Sequence, residues 1–404
     1  MKVVAIISEY NPFHNGHKYQ IDKIRENLGD DTAVIAIMSG NYTQRGETAI
    51  TDKTIRAKAA CDCGVNLVLE LPFPFCSSSA EFFASAGVRI ADKLSIVDYL
   101  AFGSESGDIS LLSDVAEIMS SEEYILQLES LTTDKKYQSL GYPELCEAAV
   151  NTLYGTKLNN FFTPNNILAI EYLKALKKEK SRILPYTVKR ESAIHDGDIN
   201  ENSHIQSASA IRAKISEAEF SALDYIPNIA KETFSNASKE GKMPSDMSKL
   251  DTAIISSLRL NSPSNTVDIH DAAGGLYNRL CTQSTKVTSI SSLMSETETK
   301  KYTKARIRRA ILNTYFGVTS SDVRMLPVYT QVLAMDTVGM SLLKRIKKAT
   351  DFPVITKPSS FKDYTADVIR QATLSHKADS IYGLTLKSPY QGDYPLTFTP
   401  YVKK

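Results

Sequence analysis

The chain has 404 residues, 42% of them apolar, and a formal net charge of +1, which suits one large or two ordinary domains around a sizeable core. Five cysteines, Cys61, Cys63, Cys76, Cys146 and Cys281, include no C-x-x-C pair, so neither a disulfide framework nor a zinc site is expected. No apolar run approaches the length of a membrane span, and the N-terminus passes straight into a strand without a signal-type region, so no membrane partner is expected and a cytoplasmic location follows.

The first element is the apolar run Val3 to Ile7, a buried strand. The turn Ser8-Glu9-Tyr10-Asn11-Pro12-Phe13-His14-Asn15-Gly16-His17 follows, and then an amphipathic helix from Lys18 to Leu28. Pro12 fixes φ, and Gly16 lets a backbone or a ligand approach closely. His14 and His17 are three apart at a helix start and can face one direction. The free N–H groups and positive dipole end of such a helix suit phosphate. Imidazoles beside them can donate hydrogen bonds to phosphoryl oxygens as charge develops there. The turn is expected to be exposed, and its plainer reading is a pair of surface histidines.

Ala33 to Met38 reads as a second buried strand, ended by Ser39-Gly40-Asn41. A helix from Thr51 to Cys63 takes Thr51 as its N-cap, with Asp52 in the first turn. Val65 to Leu71 is a third strand, stopped by Pro72 and Pro74. Ser79 to Lys93 is a helix, and Val97 to Phe102 a fourth strand ending at Gly103-Ser104-Glu105. Continuous apolar strands separated by helices predict an α/β fold, a Rossmann-like parallel sheet covered on both faces. Ligands in such sheets bind beyond the carboxyl ends of the strands, so the turns after Ile7, Met38 and Phe102 should share one crevice.

From Asp108 to Tyr154 the pattern is helical and acidic. A periodic helix from Ile167 to Lys178 follows Pro164, and Ile183 to Val188 is a fifth strand, closed by Lys189-Arg190-Glu191. A polar loop from His195 to His204 precedes Ser207-Ala208-Ser209-Ala210-Ile211-Arg212, which opens a helix. Hydroxyls at that start can cap the helix or hold phosphate, and Arg212 can neutralise a polyphosphate; a capped helix with a solvated arginine is the plain alternative. Beyond Ser216 the alternation fades into helical patterns and Ser/Asn-rich loops. The expected division is a nucleotide-binding domain over 1–215 and a mainly helical domain over 216–404.

Charge is uneven along the chain. Residues 101–150 hold 2 Lys/Arg against 10 Asp/Glu, and residues 301–350 hold 10 against 2. In the basic segment from Lys300 to Leu312, Ile307, Ile311 and Leu312 form an apolar stripe while the cations take the rest, and Lys344-Arg345-Ile346-Lys347-Lys348 adds a second cluster. Such clusters position RNA through its phosphates without reading it, and Lys301, Lys304, Arg306, Arg308 and Arg309 are the candidate contacts. A solvated helix face is the alternative.

His14-Asn15-Gly16-His17 resembles the H-x-G-H signature of the nucleotidylyltransferase superfamily, and Ser207 to Arg212 resembles its I-S-S-T-x-x-R element, with Ser209 where Thr is common. The resemblance extends in order along most of the chain. Glu9 to His17, Met38-Ser39-Gly40 with Gln44-Arg45-Gly46-Glu47, Leu69-Glu70-Leu71-Pro72, Phe102-Gly103-Ser104-Glu105, Pro164-Asn165-Asn166-Ile167-Leu168, His195-Asp196, and Lys301-Tyr302-Thr303 with Arg306 resemble the bacterial tRNA(Met) cytidine acetate ligase family. That family is implied to activate acetate with ATP as acetyl-adenylate and then to acetylate the wobble cytidine of elongator tRNA(Met). The resemblance implies that Ile7, Ser8, Glu9, Tyr10, Asn11, Pro12, Phe13, His14, Asn15, Gly16, His17, Lys18, Tyr19 and Gln20 wrap the ATP. Gly103, Asn165, Arg190, Glu191, Ser207 and Ser209 would complete the nucleotide site, with His14, His17 and Arg212 in catalytic roles. No protein-bound metal is expected, and Mg2+ would come with ATP. Two competing readings are a small-molecule adenylyltransferase of the same superfamily, which has no need of a basic helical appendage, and a non-catalytic RNA-binding protein, against which His14, His17 and Arg212 stand intact.

Overall fold

β1 (Val3–Ser8) carries no polar residue before Ser8 and is buried along nearly all its length, as a strand covered on both faces must be. β2 (Ala33–Ser39) and β3 (Leu67–Leu71) lie to one side of it, β4 (Tyr99–Ser104) and β5 (Leu184–Lys189) to the other, all parallel, in the order β3-β2-β1-β4-β5. That is a doubly wound order whose switch point falls between β1 and β4. The computed structural model describes the chain apart from residues 138–139, 156–157, 191–204, 218–219, 265–267 and 300.

Helices α1 (Asn15–Leu28), α2 (Lys53–Asp62) and α3 (Ala80–Lys93) make the crossovers. The acidic stretch forms α4 (Ile109–Ile118), α5 (Glu122–Thr133) and α6 (Tyr142–Tyr154), followed by α7 (Pro164–Lys178) and α8 (Ala208–Ser216). One face of the sheet packs Ile7, Ile37 and Phe102 against Phe83, Val88 and Leu173; the other packs Val4, Ile6 and Val34 against Ile21, Ala57 and Cys61. The cap of α2 differs from expectation. Asp52 is the N-cap, accepting the Thr54 N–H at 2.8 Å, while the Thr51 hydroxyl donates to the Lys242 carbonyl. A carboxylate at that position also meets the positive end of the helix.

The second half opens with α9 (Asn228–Lys239). The helices α10 (Asp251–Leu260), α11 (Leu276–Ser284), α12 (Ile290–Thr297) and α13 (Lys304–Phe316) then share a core around Ile254, Leu280, Leu293 and Ile307. After α14 (Ser320–Arg324) the chain returns to the sheet: β6 (Thr330–Met335) pairs antiparallel with β3, and β7 (Val354–Ile355) and β8 (Tyr401–Val402) pair parallel with β6. The half expected to be mainly helical thus also supplies three strands, and the sheet has eight. α15 (Thr337–Ala349) follows β6, and α16 (Ala366–Gly383) is tied to the sheet by buried charge. Lys53 Nζ lies 2.6 Å from Glu70 Oε1 and 2.5 Å from Asp379 Oδ2, with all three side chains at most 3% exposed. Burial, with Glu70 nearby, pushes the Asp379 carboxyl up to about 7 despite Lys53 beside it. Among the described residues no helix is long and apolar enough to cross a membrane.

Candidate active site

The turn after β1, expected to be exposed, is buried: Tyr10 is 1%, Phe13 0% and His14 5% accessible. Tyr10 adopts a φ of +45°, a conformation that persists only where its surroundings impose it. Arg56 of α2 supplies much of that constraint. Fully buried, it donates to the carbonyls of Glu9 at 2.6 Å, Thr51 at 3.0 Å and Ser39 at 3.2 Å, and also to that of Gly40. One guanidinium therefore clamps the carboxyl ends of β1 and β2 to the start of α2. Asn11 Oδ1 accepts the Ile50 N–H at 2.7 Å, and Glu9 Oε1 accepts the Gln44 N–H at 2.9 Å.

His14 is the N-cap of α1. Its Nδ1 accepts the Gly16 N–H at 3.0 Å, and His17 Nδ1 accepts the His14 N–H at 3.2 Å, a reciprocal capping box. The two rings stack with centroids 3.8 Å apart. Burial drives the His14 pKa down to about 3, helped by the charges of Arg190 and Arg212. Burial lowers His17 far below its ordinary value, with His14 and Arg190 adding to the effect. Both rings are neutral near pH 7. With Nδ1 an acceptor on each, the ring proton sits on Nε2, leaving two neutral N–H donors.

Both rings line a cavity of about 60 Å³ together with Gly16, Tyr19 and Gln20 of α1, Gly103 of β4, Val188, Lys189 and Arg190 at the end of β5, and Ile205. It sits at the carboxyl ends of β1, β4 and β5, where a doubly wound sheet binds ligands. A side chain at Gly103 would press within 3.3 Å of Arg190 Cγ, so glycine leaves Arg190 room to lie across the strand end. Arg190 Nη1 reaches Asn165 Oδ1 at 3.4 Å, and Asn165 Nδ2 donates to Glu105 Oε1 at 2.6 Å. Glu105 Oε2 also accepts the Thr163 hydroxyl at 2.7 Å and the Asn166 N–H at 2.9 Å. Burial pushes the Glu105 carboxyl up, but the bonds from Asn165 and Thr163 and the charge of Arg190 prevail and hold it below the usual range.

The remaining candidates separate into groups. Ile7 packs on Gly87 of α3, Asn11, Pro12 and Phe13 are buried, and the buried Ser8 hydroxyl has no partner among the described residues. The side chains of Ile7, Asn11, Pro12 and Phe13 are therefore turned into the fold. Asn15 opens α1, and Lys18 turns outward to pair with Asp22. Ser207 caps α8, accepting the Ala210 N–H at 3.1 Å, and its hydroxyl lies 3.0 Å from that of Ser209. Arg212 Nη1 donates to the Asn11 carbonyl at 2.9 Å. Ser209 and Arg212 wall a second, open cavity of about 320 Å³, with Glu47, Thr48, Ile50, Ala213, Ser216 and Ser245. The charge of Arg212 is felt at His14, while its side chain lines the second space. Glu191 and the loop His195 to His204 lie outside the described residues.

The basic helix is more engaged than its sequence suggests. Arg309 is 7% exposed, with Nε 2.7 Å from Asp271 Oδ2, and it also reaches the Gln44 carbonyl. Its place is between α13 and the loop after β2, not on the solvent face. Arg308 Nη1 pairs with Glu47 Oε1 at 2.8 Å. Arg306 donates to the carbonyls of Asp271 and Ala273 and lies over the Tyr302 ring. Lys301 donates to the Gly274 carbonyl, and Lys304 stays exposed, 3.7 Å from Glu298. On α15, Lys344, Arg345, Lys347 and Lys348 are exposed and carry no ion pair among the described residues. Three residues gave no functional signal in the sequence: Arg56 and Lys53, which look like ordinary helix cations, and Asp379, which is far away in the chain. Lys189 and Glu105 stand within segments whose ends did carry the signal.

Residues 1–394 match the family described as HIGH Nucleotidyl Transferase. The tRNA(Met) cytidine acetate ligase of Acetivibrio thermocellus is 34% identical, covering 96% of this chain and 96% of its own. That of a Thermoanaerobacter species is 36% identical, covering 96% of this chain and 99% of its own. A crystal structure of Thermotoga maritima TmcAL bound with α-thio ATP superposes over 100% of both chains, with TM-score 0.89 and 28% identity. An apo form of the same protein covers 100% of this chain and 99% of its own, with TM-score 0.90 and 29% identity. The neutral histidine pair at the switch point, the Arg-bearing helix beside it and likeness over the full length agree: the chain belongs to the tRNA(Met) cytidine acetate ligase family of HIGH nucleotidyl transferases.

Proposed function

We propose that the protein is an ATP-dependent ligase that joins acetate to the α-phosphate of ATP and then passes the acetyl group to the exocyclic amine of the wobble cytidine in elongator tRNA(Met). The observation that carries the reading is the pair of neutral imidazoles, each with a free Nε2–H, beside Arg190 at the ends of β1, β4 and β5. Attack by acetate breaks the bond to pyrophosphate and loads charge on the α-phosphate oxygens and the leaving group. Donors fixed in place before the reaction stabilise that charge, each worth about 10²–10³ in rate, and holding ATP and acetate together removes further entropic cost.

In this reading the stretch Ile7 to Gln20 follows the nucleotide, His14 and His17 face its phosphates, and Gly103, Asn165, Arg190 and Glu191 bound it. Ser207, Ser209 and Arg212 hold phosphate oxygens from the α8 side. Magnesium enters only as the counter-ion of the polyphosphate. Residues 1–215 make the adenylate and 216–404 present the tRNA, with Lys301, Lys304, Arg306 and the Lys344 to Lys348 cluster toward its backbone. The setting is the cytoplasm. The shared name of the relatives supports the choice of acceptor.

The test is incubation of the protein with ATP, isotopically labelled acetate and bulk tRNA, followed by mass spectrometry of the nucleosides. Labelled N4-acetylcytidine from elongator tRNA(Met) is the expected product. Absence of both that product and acetate-dependent ATP–pyrophosphate exchange would refute the reading.

A further inference from the structure

The second cavity carries Ser209 and Arg212 on one side, and Glu47, Thr48 and Ser245, which the adenylate reading does not use, on the rest of its lining. Its volume of about 320 Å³ falls at the lower end of small-ligand clefts, the scale of one nucleoside. Its polar lining is mixed: the carboxylate of Glu47, the guanidinium of Arg212, and the hydroxyls of Thr48, Ser209 and Ser245. A carboxylate argues against a simple anion site. Cytosine presents an amine donor beside two acceptors, and an acidic side chain is the partner that suits its amine. A guanidinium and a hydroxyl suit the two acceptors. The Ser245 hydroxyl gives its one proton to the Ala49 carbonyl at 2.8 Å, and the Thr48 hydroxyl, 3.0 Å away, donates to Ser245 Oγ in turn.

Glu47 is held deliberately. The Thr43 N–H donates to the Glu47 carbonyl and the Gly46 N–H to the Thr43 carbonyl, each at 2.9 Å, which closes the loop. Gly46 has φ +77°, and a Cβ there would lie 2.7 Å from the Arg309 backbone nitrogen, so the loop rests directly on α13. Arg308 fixes Oε1 of Glu47, while Oε2 has no partner among the described residues. The side chain is 34% exposed, reachable by a base splayed out of a single-stranded loop, the form in which RNA bases are read. Arg212 lines this cavity and also holds the Asn11 carbonyl in the histidine turn.

We propose that this cavity takes the acceptor cytosine and that Glu47 receives the proton shed by its amine. The inference rests on the acetyl-transfer reading above. The amine nitrogen bonds to the acetyl carbon, and the bond from that carbon to the phosphate oxygen breaks. AMP leaves with the electron pair, and the amine proton passes to Glu47 Oε2. Arg212 orients the base, and α13 sets Glu47 in place through Arg308.

The test uses the full-length protein, elongator tRNA(Met), ATP and labelled acetate. Glu47→Gln preserves size and polarity but removes the proton acceptor. Its acetate-dependent ATP–pyrophosphate exchange should stay within about twofold of wild type. Its kcat for transfer at saturating tRNA should fall roughly 10²-fold or more, the scale of general-base catalysis. Arg308→Gln, which breaks the same ion pair from the other side, should raise KM for tRNA rather than lower kcat. Normal transfer by Glu47→Gln overturns the proposal, as does a parallel loss of exchange and transfer, or kcat losses matched between the two variants. A wild-type protein that makes no acetylcytidine sinks the underlying reading instead, and melting curves identify any variant that fails to fold.

Discussion

Replacing His17 separates two jobs that its ring performs. Nδ1 accepts the His14 N–H and completes the capping box, while Nε2 offers a proton to the cavity. His17→Ala removes both. Losing a cap acceptor costs about 0.5–2 kcal/mol. The edge contact with Tyr10 at 4.8 Å and the stack on His14 at 3.8 Å add about 0.5–1.5 kcal/mol each. The alanine variant should therefore be destabilised by roughly 1.5–5 kcal/mol, more than an exposed turn would lose. His17→Asn keeps an acceptor close to the Nδ1 position but lacks a donor at Nε2. It should recover the cap contribution while still losing about 10²–10³ in rate. Urea melts and acetate-dependent ATP–pyrophosphate exchange read the two effects apart. A well-folded His17→Asn variant with wild-type exchange would refute the assignment of the Nε2 proton to transition-state stabilisation.

The same histidines make stability depend on pH. A buried imidazole with its pKa lowered from 6.5 to about 3 stays unprotonated where the unfolded chain takes up a proton. Its contribution is intact above about 6.5 and is lost as pH falls toward 3. Between pH 6.5 and 5.5 wild type should lose about 1 kcal/mol more than His14→Asn; equal losses in denaturant melts at the two pH values would contradict the burial argument. On α13, Arg309→Gln removes the cation from the largely buried Asp271 carboxylate and should cost about 1–3 kcal/mol, visible as a lower melting temperature. By contrast, Lys344→Gln and Lys348→Gln should leave melting unchanged and flatten the salt dependence of tRNA binding by nearly one unit of slope per contact. Identical melting for all three variants would show that Arg309 is no anchor.

The five parallel strands were legible because each is a short continuous apolar run between helices, and the histidine turn because its residue types are unusual for a strand end. β6 was not. Its leading Thr330 and Gln331 disguise a buried strand, and the partner that makes sense of Thr330 is the Glu70 carbonyl, 260 positions away. The buried charges were hidden for the same reason. Lys53 looks solvated until Asp379, 326 residues later, is brought against it. The basic helix misled in the opposite direction. Periodicity identified its apolar stripe, but whether Arg309 faces water depends on the loop after β2 docking on α13. Tyr10, Asn11 and Phe13 drew attention as ligand contacts because they flank the histidines, yet their side chains hold the turn.

The strands contributed by the second half also dictate how this protein comes off the ribosome. β3 is an interior strand only after β6 has been made and has folded back antiparallel, and β6 gains its β8 neighbour only when Tyr401–Val402 emerges. Until then Leu67–Leu71 is a bare apolar edge with an open row of N–H and C=O groups, the kind of surface on which another strand adds. Closure spans most of the polypeptide, and contacts so distant in sequence form slowly. The nucleotide half cannot hide its own margin while synthesis continues, so nascent chains of this protein need shielding from one another for most of translation.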